Sequence, residues 1–131
     1  VPERYPEPTS CFILRNDSPR GAGSREQGVK FTDVTAQLAP GLQNIGLVCD
    51  ALWTDYDGDG WQDLLLVGEW MTPTMLKNEK GIFNAQFSLF NSQLKGWWNS
   101  LAAGDFDRDG DVDYLAGNLG LNALNRATPD E

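Results

Sequence analysis

Apolar and polar residues alternate or cluster along this chain at the short spacing of β-strands, and nowhere do they hold a helical spacing for three turns. CFILR at 11–15 is a short apolar run, and VKFTDVT at 29–35 sets Val29, Phe31 and Val34 among polar neighbours, so each predicts a strand. Between them, residues 16–28 are rich in turn formers and predict an exposed loop, while AQLAPGLQ at 36–43 predicts a turn or a single helical turn. GLVCDALWTD at 46–55 is the next strand. An acidic loop follows, then QDLLLVG at 62–68 as a buried strand, PTMLKN at 73–78, a turn from Asn78 to Gly81, and IFNAQF at 82–87. Four short strands joined by tight turns predict an antiparallel meander. Past a polar link at 88–96, WWNSLAAGD at 97–105 leads into a second acidic loop, and DYLAGN at 113–118 is a further strand. Residues 1–10, with three prolines, read as an extended entry segment, and 123–131 as a tail.

The two halves of this pattern repeat. ALWTDYDGDGWQDLLLVG matches LAAGDFDRDGDVDYLAGN at a shift of 50 residues, KFT matches IFN at 52, and ILRN matches MLKN at 62, the loop at 17–27 supplying the excess. Four strands in a period of 50–60 residues describe a β-propeller blade. The chain is therefore expected to be all-β, a propeller fragment with a half blade at 11–35, a complete four-stranded antiparallel blade at 47–87 and a half blade at 97–118. A ring needs roughly four to eight blades, so the sequence, which opens on Val1, is expected to be an excerpt of a longer protein whose neighbouring blades are its first partners.

Composition narrows the function. Lys and Arg number 10 against 19 Asp and Glu, a formal charge of -9, and there is no histidine. So acidic a surface repels phosphate backbones and anionic lipid, which argues against nucleic-acid binding, and the lack of His removes Ser-His-Asp and Cys-His catalysis and the usual zinc sites. The longest uninterrupted apolar run, Leu64 to Val67, is far below the roughly 18–20 residues that span a bilayer, so no membrane insertion is expected. Cys11 and Cys49 form either one disulfide or, the preferred reading, two small buried hydrophobes.

The charge is concentrated. Asp55, Asp57, Asp59 and Asp63 fall in one nine-residue window, and Asp105, Asp107, Asp109, Asp111 and Asp113 in another, with Arg108 as the single opposing charge inside them. Two carboxylates about 4 Å apart repel by roughly 4 kcal/mol at an effective dielectric near 20, so such loops ask for a cation. Alternate side chains of a tight loop fold toward one centre, and the glycine at position 6, Gly60 or Gly110, permits the positive φ that reverses the chain. The main-chain carbonyls at position 7, of Trp61 and Asp111, are natural extra donors, and the position 9 carboxylates of Asp63 and Asp113 close the shell. Oxygen donors in this number favour Ca²⁺ over Mg²⁺, giving two expected sites. An EF-hand is a poor rival, because its twelfth position would hold Leu66 and Ala116 rather than Glu, and strands flank the loops.

DYDGDGWQDLLLVG and GDFDRDGDVDYLAGNLG resemble FG-GAP and VCBS-type repeats, the calcium-loop blades of integrin alpha-chain propellers and of many bacterial cell-envelope proteins. The run from VGEWMTPTMLKN to GWWNSLAAGDFDRDGDVDYLAGNLGLN is similar to the bacterial VCBS/ASPIC-UnbV-like branch, and the resemblance covers about residues 11–122. It implies a seven-bladed propeller used extracytoplasmically in adhesion, recognition or scaffolding, with Ca²⁺ rigidifying blade hairpins and no catalytic role. The alternative is a carbohydrate-binding or accessory propeller of a carbohydrate-active enzyme. A glycosidase carboxylate pair is disfavoured, because a catalytic pair need appear only once whereas these residues repeat in register. Trp53, Trp70, Trp97 and Trp98 are expected in core or blade-to-blade packing, Trp61 to be the most exposed tryptophan, Lys77 and Lys80 to be solvated edge charges, and Arg15, Arg20 and Arg25 to lie on a solvated loop. The sequence specifies neither a protein nor a glycan ligand.

Overall fold

The described residues fold mainly into antiparallel β-structure, as the alternating pattern of the sequence demands. The computed structural model describes residues 7, 10–18, 28–88 and 95–119, with 84–88 described by their backbone. Most of the entry segment, the inner part of the 16–28 loop with Arg20 and Arg25, most of the 88–96 link and the tail lie outside the described residues. The strands are β1 (Leu14–Asn16), β2 (Phe31–Asp33), β3 (Leu47–Thr54), β4 (Asp63–Met71), β5 (Thr74–Glu79), β6 (Ile82–Ser88), β7 (Gly96–Gly104) and β8 (Asp113–Asn118). A single helical turn, α1 (Thr35–Leu38), and a 3₁₀ turn at Pro40–Leu42 follow β2.

Strands β3 to β6 form a four-stranded antiparallel meander. Lys80 and Gly81 close its last hairpin with φ of 57° and 99°, the double positive φ of a two-residue turn that matches strand twist. Strand β4 is buried along nearly its whole length because both of its faces are covered. On one face Leu64 and Leu66 join Leu76, Phe83 and Met71 under Ala39 and Leu42 of the helical turns, with Cys11, Ile13, Ile45 and Val48 packed around them. Leu65 and Val67, which alternate with them, point to the opposite face and are equally buried. On that face the β7–β8 pair is joined to the meander: Asp50 Oδ2 accepts the Leu101 N–H at 2.8 Å, and the Thr54 and Tyr114 hydroxyls lie 2.5 Å apart.

The sequence repeat is also a structural one. Every β3–β4 pair from Val48↔Gly68 to Thr54↔Asp63 recurs in β7–β8 fifty residues on, from Trp98↔Asn118 to Gly104↔Asp113. Even the β-bulge recurs, with Cys49 and Asn99 as the residues left out of the ladder. Gly68 lets the backbones close at this bulge: a Cβ there would stand 2.0 Å from the Leu47 carbonyl oxygen.

Several expectations need correction. Cys49 alternates in phase with the exposed Ala51 and Trp53, so it is exposed instead of buried; both cysteines are free thiols, and Cys11 alone packs against the core. Strands β1 and β2 keep three paired residues each, shorter than the apolar runs that predicted them, because the chain turns into α1: the Val34 carbonyl accepts the Gln37 and Leu38 N–H at 3.0 and 2.9 Å, and the Ile13 N–H goes to Thr35 Oγ1 at 2.8 Å. Strand β4 runs to Met71, beyond the predicted 62–68, since its end leaves β5 and pairs with β7 at Glu69↔Trp97 and Met71↔Gly96. Trp70, with φ of 59° at that crossing, meets the Trp97 ring at 5.9 Å between centroids, in keeping with the packing role expected of both. Trp53 is 52% exposed, more than Trp61 at 43%, because it sits at the rim against Phe83 rather than under it. Arg15 is exposed and pairs with Asp17 at 2.7 Å. Among the described residues no helix is long and apolar enough to cross a membrane.

Candidate metal centres

Each acidic loop spans the turn from one strand to its antiparallel neighbour, β3 to β4 or β7 to β8, so the ladder brings the loop ends together and the alternation of Asp directs carboxylates inward. In the first loop Asp55 Oδ1 accepts the Asp59 N–H at 3.1 Å and Asp55 Oδ2 the Gly60 N–H at 2.9 Å. The second repeats this with Asp105 Oδ1 to Asp109 N–H and Asp105 Oδ2 to Gly110 N–H, both 3.1 Å. Asp59 and Asp109 then accept the N–H of Trp61 and Asp111, each at 2.9 Å. The expected glycine at position 6 has φ of 87° or 98°, and position 4 is left-handed as well, as Gly58 in the first loop and, less comfortably, as Arg108 with φ of 67° in the second. Sequence spacing did not reveal that second requirement.

These bonds hold three carboxylates of each loop together: Asp55, Asp57 and Asp63 in one, Asp105, Asp107 and Asp109 in the other, with one oxygen of each within 4.8 Å of the others. Oxygens bound 2.3–2.6 Å from a single Ca²⁺ stand at most about 5 Å apart, so the oxygen-only sets fit a hard divalent cation in size and chemistry. Two acidic clusters thus could hold a metal ion. Of the other residues read from the sequence, Asp59 and Asp113 lie outside these groups of three, Asp111 is exposed, and Trp61 contributes its N–H to the loop.

Position 9 is better described as an anchor. Asp63 is 0% exposed, and its two oxygens accept the Tyr56 N–H at 3.2 Å and the Asn78 N–H at 2.7 Å, tying the loop to β5. Asn78 extends the tie, giving its side-chain amide to the Gln62 carbonyl at 2.8 Å and accepting the Gly81 N–H at 2.6 Å. Asp113, its counterpart, is half-buried and accepts the Phe106 N–H at 2.8 Å. Asn78 escaped the sequence reading, although its place before a turn is where such a side chain serves.

Lys77 was expected to be a solvated edge charge, and the structure corrects this. Its ammonium donates to Asp57 Oδ2 and stands 3.9 Å from Asp59 Oδ2. That hydrogen bond holds the Asp57 carboxyl below the ordinary aspartate range and raises Lys77 above the ordinary lysine value. Trp61, Asp59, Lys77, Glu79 and Lys80 line an open cleft of about 400 Å³ beside the first loop.

Set against known families, residues 55–116, which contain both loops, match the family described as the FG-GAP-like repeat. Neither the curated proteins nor the solved structures gave a match to the chain.

Proposed function

Because residues 55–116 match the FG-GAP-like repeat, we propose that the chain is a calcium-binding β-propeller repeat module serving extracytoplasmic recognition, adhesion or scaffolding, without catalysis of its own. The observation that carries this reading is the recurrence of a three-carboxylate cluster, with positions 1 and 3 in common, in the same loop of two successive repeats. A catalytic carboxylate pair needs one copy in a cleft, whereas a cation that stiffens a hairpin is useful in each repeat. The position 7 carbonyls of Trp61 and Asp111 would complete the shells. Leu14, Phe31 and Leu115, left exposed on β1, β2 and β8, support neighbouring blades as partners.

Titrating Ca²⁺ calorimetrically into the chelator-stripped chain tests this. Two ions should bind, with Mg²⁺ as a weak competitor, and a site filled at 100 times its dissociation constant should add about 2.7 kcal/mol of stability. Asp57→Ala and Asp107→Ala should each remove one ion; unchanged stoichiometry in both would refute the assignment.

The cleft beside Trp61 supports a second reading, glycan binding, since a half-exposed indole among charged side chains offers a stacking face. Soluble oligosaccharides should then quench tryptophan fluorescence, and Trp61→Ala should abolish the response. Quenching that persists in that variant would move the site elsewhere.

A further inference from the structure

We infer that Lys77 acts as an internal counter-ion that makes the two cation sites unequal, holding the first loop partly neutralised so that the second fills first. The inference rests on the calcium reading above and goes beyond it. The two loops share four of their internal hydrogen bonds residue for residue, and they differ in what stands beside the position 3 carboxylate. In the first loop Asp57 is engaged by the Lys77 ammonium, which reaches over from β5. In the second, Asp107 accepts the Asp109 N–H at 3.1 Å and pairs with no lysine or arginine among the described residues, Arg108 included.

The grouping of carboxylates follows this difference. Asp109 stays with Asp105 and Asp107, whereas its counterpart Asp59 lies outside the first cluster, with Oδ2 3.9 Å from the Lys77 ammonium. A divalent ion entering the first loop must either displace Lys77 from Asp57 or share the loop with a like charge a few ångströms away, and both weaken binding. In the second loop no such competitor stands among the described residues. Lys77 lies on the third strand of the blade, outside the loop's own sequence, so the asymmetry is invisible to the loop motif and set by the fold.

The test is calcium calorimetry on the full 131-residue chain, with terbium luminescence excited through Trp61 as a readout weighted to the first loop. The unaltered chain should show two steps with dissociation constants at least about tenfold apart, Asp107→Ala retaining the weaker and Asp57→Ala the tighter. Lys77→Met should tighten the weaker step by about tenfold and draw the two together, while Lys77→Arg, which keeps the charge and controls for folding, should leave them apart. Equal steps in the unaltered chain, or a weaker step unmoved by Lys77→Met, would overturn the inference and leave the two-ion reading intact. Absence of any calcium binding in all variants would overturn both.

Discussion

Replacing Asp63 with alanine should lower the melting temperature of the calcium-free chain by roughly 10 °C, far more than the same change at Asp113. The two positions are equivalent in the repeat and identical in sequence, but only one is built into the core. Asp63 is fully buried, and removing it leaves the N–H groups of Tyr56 and Asn78 without their acceptor. Each orphaned group costs about 1–3 kcal/mol when water cannot reach it, and Asn78 is itself buried. Asp113 is half-buried and among the described residues accepts one bond, from Phe106, so its loss should cost no more than about 1 kcal/mol. Asp63→Asn, which keeps one carbonyl oxygen, should fall between. The melts belong in excess chelator, which separates this structural cost from any lost ion. Equal shifts for Asp63→Ala and Asp113→Ala would show that the tie from the first loop to β5 contributes nothing to stability.

Gly68→Ala should cost more than about 3 kcal/mol and leave much of the chain unfolded at 37 °C. The added methyl would meet the Leu47 carbonyl oxygen at 2.0 Å, the Leu47 carbonyl carbon at 2.7 Å and the Val48 Cα at 2.8 Å, all main-chain atoms that no rotamer change can move. Relief would require opening the β3–β4 ladder at its bulge, which also unseats Val48 from the core. Gly117→Ala is the control. Its methyl would meet the Ser100 hydroxyl at 2.5 Å, a group free to rotate, so it should cost less than about 1 kcal/mol. Chemical denaturation of both variants decides the matter, and comparable midpoints would mean that the ladder is softer at Gly68 than its close approach implies.

What could be read from the sequence followed the range of the interaction involved. Strand β8 occupies the residues predicted, 113–118, because its limits are set locally by the acidic loop before it and the glycine and asparagine at its end. The four-strand order of the meander and the repeat at 50 residues were equally legible, since alternation and turn residues are properties of the chain itself. The end of β4 was not, because Glu69 and Met71 are ordered by pairing with a strand of the next repeat. Cys49 was misplaced because the apolar run around it suggested burial, whereas it keeps the period-two phase of the exposed Ala51 and Trp53. In the candidate centres, the carboxylates were visible in their spacing, whereas Lys77, Asn78 and Asp50 act on residues 15 or more positions away and share no motif with them.

The junction between the meander and the β7–β8 pair bears on how an array of near-identical units finds its order. Chains with superposable repeats risk docking the wrong neighbours or exchanging units between molecules as they fold. The contacts here are not themselves repeated: fifty residues beyond Asp50 stands Ser100, beyond Thr54 stands Gly104, and fifty before Tyr114 stands Leu64. The hydrogen bonds from Asp50 to Leu101 and between Thr54 and Tyr114 therefore work as an address, accepting this pair of neighbours and no shuffled one. An artificial array made by copying residues 47–96 in tandem would inherit the strands and the loops but lose the address, and its units should assemble without a fixed sequence.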